Sequence, residues 1–244
     1  MFQTIVKIFL LVIITAAITP FIRKLAFVLG AVDNPNARRI NKKPMPTIGG
    51  LAIFVAFNIG EFVLLRKDFP THELFSVLLA SSVIILTGLI DDILELKPRQ
   101  KMFGIFVASL VVYFLAGIKV RELSLPFLGH IQLGWWSFPL TIFWILALTN
   151  AVNLIDGLDG LATGVTLISL VTMGIVGFFF LKSWQHYVPI MCIMLAACLL
   201  GFLPYNFHPA KIFLGDTGAL YIGFMISVLS LKGLKNVTFV SLLV

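Results

Sequence analysis

The chain has 244 residues, 59% of them hydrophobic and only 12% charged, with a mean hydropathy of +1.05 and a formal net charge of +7. A water-soluble domain of this length carries about twice that charged fraction, and a β-barrel shows short alternating segments instead of long apolar runs. The basic residues sit in short loops and form no stripe interleaved with aromatics, so nucleic acid is not an expected partner.

The first apolar run, 2–29, has no small-residue cleavage site ahead of a soluble domain and is followed by further spans. It is read as a retained helix, not a removed leader. Further spans are predicted over 48–65, 74–90, 102–118, 137–153, 160–181, 187–205 and 217–231. Runs such as 74–90, 102–118 and 160–181 hold no charge and are long enough to cross roughly 30 Å of hydrocarbon as helices. A ninth run begins near Val237 and stops at Val244, too short to cross, so the chain is expected to lack C-terminal spans. Between the fourth and fifth spans, "KVRELSLPFLGHIQLG" (119–134) alternates apolar and polar residues around a Pro and a Gly. That pattern predicts a short extracytoplasmic β-hairpin. Cys192 and Cys198 share one apolar span and read as small hydrophobes, not as zinc ligands. The expected fold is all-α: a single integral-membrane domain over 1–244, with about eight complete transmembrane helices and a truncated ninth.

Span parity puts the loops 30–47, 91–101, 154–159 and 206–216 on one face. They carry Arg38, Arg39, Lys42, Lys43, Lys97, Arg99, Lys101 and Lys211, which makes that face cytoplasmic by the positive-inside tendency. Of the 11 acidic residues, Asp91, Asp92, Glu95, Asp156, Asp159 and Asp216 gather there. Each has a bland explanation alone. Asp216 before Thr-Gly suits a helix cap, Asp91–Asp92 an exposed turn, and the glycines of "DGLDGLATG" close helix packing. Three such loops on one face favour a joint role, because ionisable groups at membrane depth are costly. Carboxylates and carboxamides suit Mg²⁺, and the neighbouring lysines and arginines suit phosphate oxygens. Together they point to phosphoryl transfer at a membrane face. The rival reading is a transporter, but transporters place such acids near the bilayer midplane on interrupted helices. His72, His130 and His186 fall on the outer side and His208 lies near Asp216; none is assigned a role.

In motif order, "KPMPTIGG", "DDILELKPRQK", "NAVNLIDGLDGLA" and "PYNFHPAKIFLGDTG" resemble the polyprenyl-phosphate N-acetylhexosamine-1-phosphate transferase family, the MraY, WecA and TagO type of bacterial enzyme. The resemblance covers essentially the whole chain. It implies attack of undecaprenyl phosphate on the β-phosphorus of a UDP-amino sugar at the cytoplasmic face of the bacterial plasma membrane, with UMP released. It further implies Mg²⁺, with Mn²⁺ as an alternative metal, and allows a homodimer. Carried over residue by residue, Asn153 and Asp216 look like the metal ligands. Asp91 and Asp92 would orient or deprotonate the lipid phosphate, and Lys101 would contact phosphate oxygens. Asn206 and Phe213 look like uridine contacts, with Asp156, Gly157 and Asp159 in the same pocket and Lys42 and Thr47 in the first-loop contact region. The family's His-rich fifth cytoplasmic loop lies beyond a ninth span and has no counterpart in these residues. Glu95, where the MurNAc-pentapeptide enzymes typically carry Lys, and the first loop look more like the UDP-GlcNAc branch of teichoic acid or O-antigen synthesis. The pentapeptide branch is the alternative.

Overall fold

The computed structural model describes residues 2–33, 44–64, 71–125, 129–181 and 187–233. Among these residues eight α-helices follow one another: α1 (Phe2–Leu29), α2 (Gly50–Ile59, continued by a π-helical turn over Gly60–Leu64), α3 (Thr71–Leu94), α4 (Pro98–Phe114), α5 (Ser137–Ile155), α6 (Leu161–Phe180), α7 (Tyr187–Asn206) and α8 (Gly215–Gly233). The protein is an all-α polytopic membrane protein. The hairpin expected between α4 and α5 is present, as β3 (Glu122–Leu125) antiparallel to β4 (Gly129–Gln132). A second antiparallel pair, β1 (Val32–Asp33) with β2 (Met45–Pro46), was not foreseen and brackets the first loop. The ninth apolar run and Lys42 lie outside the described residues.

Among the described residues, five helices are long and apolar enough to cross a membrane: Ile5–Leu29, Thr71–Leu94, Gly134–Ile155, Leu161–Phe180 and Tyr187–Asn206; Gly50–Val63 is a shorter apolar helix. α4 is diluted by Arg99, Gln100 and Lys101 in its first turn. α8 is diluted by Asp216, Lys232 and its small and hydroxyl residues, and it is buried along almost its whole length. It contacts α2, α3, α5, α6 and α7, so protein stands where lipid would be and the helix tolerates Gly, Ser, Thr and Tyr. Its two serines are satisfied locally, Ser227 Oγ donating to Phe224 O at 2.6 Å and Ser230 Oγ to Ser227 O at 2.8 Å.

Small residues set how closely α8 is approached. A Cβ on Gly50 would overlap the Cα of Gly218, and one on Gly88 would stand 2.5 Å from the Cα of Thr217. α2 and α3 therefore cross α8 backbone against backbone, next to its first turn. One acid is buried away from the face where the acidic loops gather: Glu61, in the π-helical turn, is 2% exposed and its Oε1 has no hydrogen-bond partner among the described residues.

This packing makes a direct prediction. Gly50→Ala forces two backbones apart and is expected to destabilise the fold by about 1–3 kcal/mol, read as a lower melting temperature in detergent. Gly164→Ala, where a Cβ meets nothing within 4 Å, should leave the melting temperature unchanged or raise it. Equal behaviour of the two variants would refute the close crossing.

Candidate active site

Because the helices alternate in direction, the ends of α1, α3, α5 and α7 and the starts of α2, α4, α6 and α8 meet at one end of the bundle. The N-terminus of α8 is the centre of that end. Gly215 precedes the first turn with φ +71, and a Cβ there would overlap Thr47 O. Only glycine fits both the left-handed backbone and the contact. The orphan N–H groups of the helix start are then taken by Asp92, on the last turn of α3. Its Oδ1 accepts from Asp216 N at 3.0 Å, and its Oδ2 accepts from Thr217 N at 3.0 Å and Thr217 Oγ1 at 2.5 Å. Asp92 is thus an N-cap supplied by another helix, favoured by the positive end of the helix dipole.

The wall beside it is made of backbone. Phe213 N donates to Pro46 O at 2.8 Å, Gly49 N to Phe213 O at 3.1 Å and Gly50 N to Leu214 O at 3.0 Å. Thr47 is held in the same wall, donating both its N–H and its hydroxyl to Ala31 O, at 3.1 and 3.0 Å. Phe213 is left partly exposed by this pairing, on the cavity side.

Lys101, on the first turn of α4, bridges two carboxylates: Asp91 Oδ2 at 2.5 Å and Asp216 Oδ1 at 2.9 Å. Asp91 is 5% exposed, and its Oδ2 meets Lys101 as an ion pair, not as a directed hydrogen bond. Its Oδ1 accepts from Leu96 N at 2.7 Å and closes the α3–α4 turn. That turn ends α3 with Glu95 at φ +50, a position where glycine is usual. Asn153, near the end of α5, donates from Nδ2 to the same Asp216 oxygen.

These elements enclose a cavity of about 510 Å³, within the range of nucleotide-sized sites. Of the residues singled out from sequence, Thr47, Asp91, Asp92, Lys101, Asn153, Asp156, Gly157, Asp159, Asn206, Phe213 and Asp216 all line it. Lys42 lies outside the described residues. The sequence reading placed Asp91 and Asp92 in a loop; they are on α3, which runs on through Leu94. It also missed Asp33, which lines the cavity from β1, although span parity had already put its loop on this face. His208, left unassigned, stands with Nδ1 3.0 Å from Asp159 Oδ2. Asn206 is 3% exposed and largely committed, with Oδ1 accepting from Thr163 Oγ1 at 2.7 Å and Nδ2 donating to Ile212 O at 3.2 Å.

A match to the model of glycosyl transferase family 4 runs over residues 74–234. The chain belongs to that family. It is 41% identical over 229 residues to a probable undecaprenyl-phosphate N-acetylglucosaminyl 1-phosphate transferase of Bacillus subtilis (strain 168), covering 93% of this chain and 62% of that protein. It is 36% identical over 222 residues to a phospho-N-acetylmuramoyl-pentapeptide-transferase of Clostridium botulinum (strain Eklund 17B / Type B), covering 87% of this chain and 67% of that protein. A transferase of the same name from Bacillus velezensis is 33% identical over 242 residues, covering 91% and 72%. The chain therefore spans less than two thirds of the length of its Bacillus subtilis relative.

The site's electrostatics give a pH test. Burial first, and the charge of Asp216 second, push the Asp156 carboxyl up to about 7. The folded state thus binds this proton more tightly than the unfolded one. The ionised carboxylate costs stability that grows from the unfolded value of 3.8 up to about 7 and is constant above it. Asp156→Asn removes that cost. With divalent cations chelated, its gain in melting temperature over wild type should be small near pH 4 and largest above about pH 7. A gain that does not change with pH would refute the assignment.

Proposed function

We propose that the protein transfers GlcNAc-1-phosphate from UDP-GlcNAc to undecaprenyl phosphate, giving undecaprenyl-diphosphate-GlcNAc and UMP, at the cytoplasmic face of the bacterial plasma membrane. The observation that carries this reading is the cavity at the start of α8, where Asp216, Lys101, Asp91 and Asn153 meet at one end of a membrane bundle. The loop lysines and arginines support the cytoplasmic side.

In this reading an oxygen of the lipid phosphate attacks the β-phosphorus, the bond to the α–β bridging oxygen breaks, and UMP leaves. A phosphate monoester has its second pKa near 6, so the acceptor is largely dianionic at neutral pH and needs little help from a base. That favours an orienting role for Asp91 and Asp92 over proton removal, in keeping with their bonds to Lys101 and to α8. Lys101 offsets phosphate charge. Phe213 stacks on the base, and the 156–159 loop with Asn206 forms the rest of the nucleotide wall.

A Mg²⁺ ion fits these residues. Among the described residues no three His, Cys, Asp or Glu side chains converge to hold a metal by themselves. Mg²⁺ needs only one or two protein oxygens plus substrate phosphates, and Asp216 with Asn153 supplies that set. When bound, it would draw together the donor phosphates and neutralise the charge developing on them. The GlcNAc donor is favoured over the MurNAc-pentapeptide donor by Glu95 on the cavity lining. Six further carboxyl groups, those of Asp33, Asp91, Asp92, Asp156, Asp159 and Asp216, line the cavity with it and oppose a donor bearing extra carboxylates.

The test is UMP release by the complete gene product in nanodiscs with undecaprenyl phosphate, Mg²⁺ and each donor in parallel. UDP-GlcNAc should be turned over and UDP-MurNAc-pentapeptide poorly. Asp216→Asn should lose roughly a thousandfold in rate with unchanged membrane insertion. Preference for the pentapeptide donor would move the protein to the other branch, and near-normal turnover of the variant would remove Asp216 from the chemistry.

A further inference from the structure

We propose that His208 is a positioning residue for the nucleotide-sugar donor, acting through Asp159 to hold one wall of the cavity against the other. The inference rests on the cavity being the donor site. The 156–160 loop carries Asp156, Gly157, Leu158 and Asp159 into the cavity. Its backbone bonds are short-range: Asp156 N to Asn153 O at 3.3 Å, Gly157 N to Ile155 O at 2.7 Å and Leu161 N to Leu158 O at 3.0 Å. They shape the loop but do not fasten it to a neighbour.

The fastening comes from the segment after α7. His208 Nδ1 lies 3.0 Å from Asp159 Oδ2, and Ala210 N donates to the same oxygen at 3.1 Å. An ionised carboxylate has no proton to give, so His208 Nδ1 must be the donor. Both bonds fall on Oδ2, and neither uses Oδ1. Next to them, Gly160 with φ +73 lets the chain pass so close that a Cβ would stand 3.3 Å from Phe207 Cα. Below, the Thr163–Asn206 bond joins the same two segments inside the fold. The buried tie and the glycine contact are permanent packing. The His208–Asp159 tie is the outer one, and the His208 side chain is 80% exposed.

That exposure separates positioning from folding. An exposed pair of this kind adds little to global stability, so its loss should leave the bundle intact. Its loss also frees the loop, and a donor that must order the loop binds less tightly. The lipid phosphate needs no such ordering if it is held by the Lys101 side of the cavity.

The experiment uses the complete gene product in nanodiscs. His208→Ala should raise the KM for UDP-GlcNAc about two- to fivefold, the worth of an exposed pair of this kind. Its kcat, its KM for undecaprenyl phosphate and its melting temperature should stay unchanged. His208→Gln, whose amide still donates, should recover part of the loss. In an Asp159→Ala background, which removes the acceptor, His208→Ala should add nothing, because the two act as one unit. Independently of turnover, hydrogen exchange at the amides of residues 157–160 should quicken in His208→Ala. Unchanged exchange with a wild-type KM, or additive effects in the double variant, would overturn the proposal. If the wild type turns over no UDP-sugar, the proposed function fails, and the exchange result still decides whether His208 holds the loop.

Discussion

The bond that the rest of the site depends on is the one between the Asp92 carboxylate and the first turn of α8. It joins residues more than a hundred positions apart in sequence and takes up the N–H groups of Asp216 and Thr217 together with the Thr217 hydroxyl. Helix starts leave four N–H groups without partners, and inside a bundle there is little water to satisfy them. A carboxylate from α3 meets that need and places Asp216 in the cavity. Gly215, Gly218, Gly50 and Gly88 make the approach close enough for the bond to form. Small residues and a buried acid thus act as one device.

Around that device the charges are arranged to need something positive. Lys101 lies between Asp91 and Asp216, while Asp33, Glu95, Asp156 and Asp159 line the same space. Burial and the charge of Asp216 already hold Asp156 toward its protonated form. In the proposed function, a cation entering with the anionic substrate would relieve this repulsion, the electrostatic logic of metal-assisted phosphoryl transfer. It is also a reason for the bundle to concentrate its acids at one end: the cost is borne where water and ions reach.

Much of this was legible in the sequence, because membrane spans announce themselves as long uncharged runs and because alternation fixes which loops meet. The helices α1 and α5 to α8 end within about two residues of the expected bounds. What was not legible depends on contacts distant in sequence. Nothing local to Asp92 says that it caps another helix, and nothing local to His208 says that it meets Asp159. Asp33 reaches the cavity through the β1–β2 pairing, which joins residues on either side of the first loop. α8 was legible as a span, but nothing local showed that it is enclosed by five other helices.

The central claim is that Asp92 is a structural anchor for α8 and not a base. The most direct measurement is thermal unfolding of Asp92→Ala in detergent, without substrate. Leaving the N–H groups of Asp216 and Thr217 without a partner at the start of α8 should cost about 1–3 kcal/mol and lower the melting temperature along with turnover. An unchanged melting temperature accompanied by lost turnover would contradict the account and make Asp92 a group that acts on the substrate.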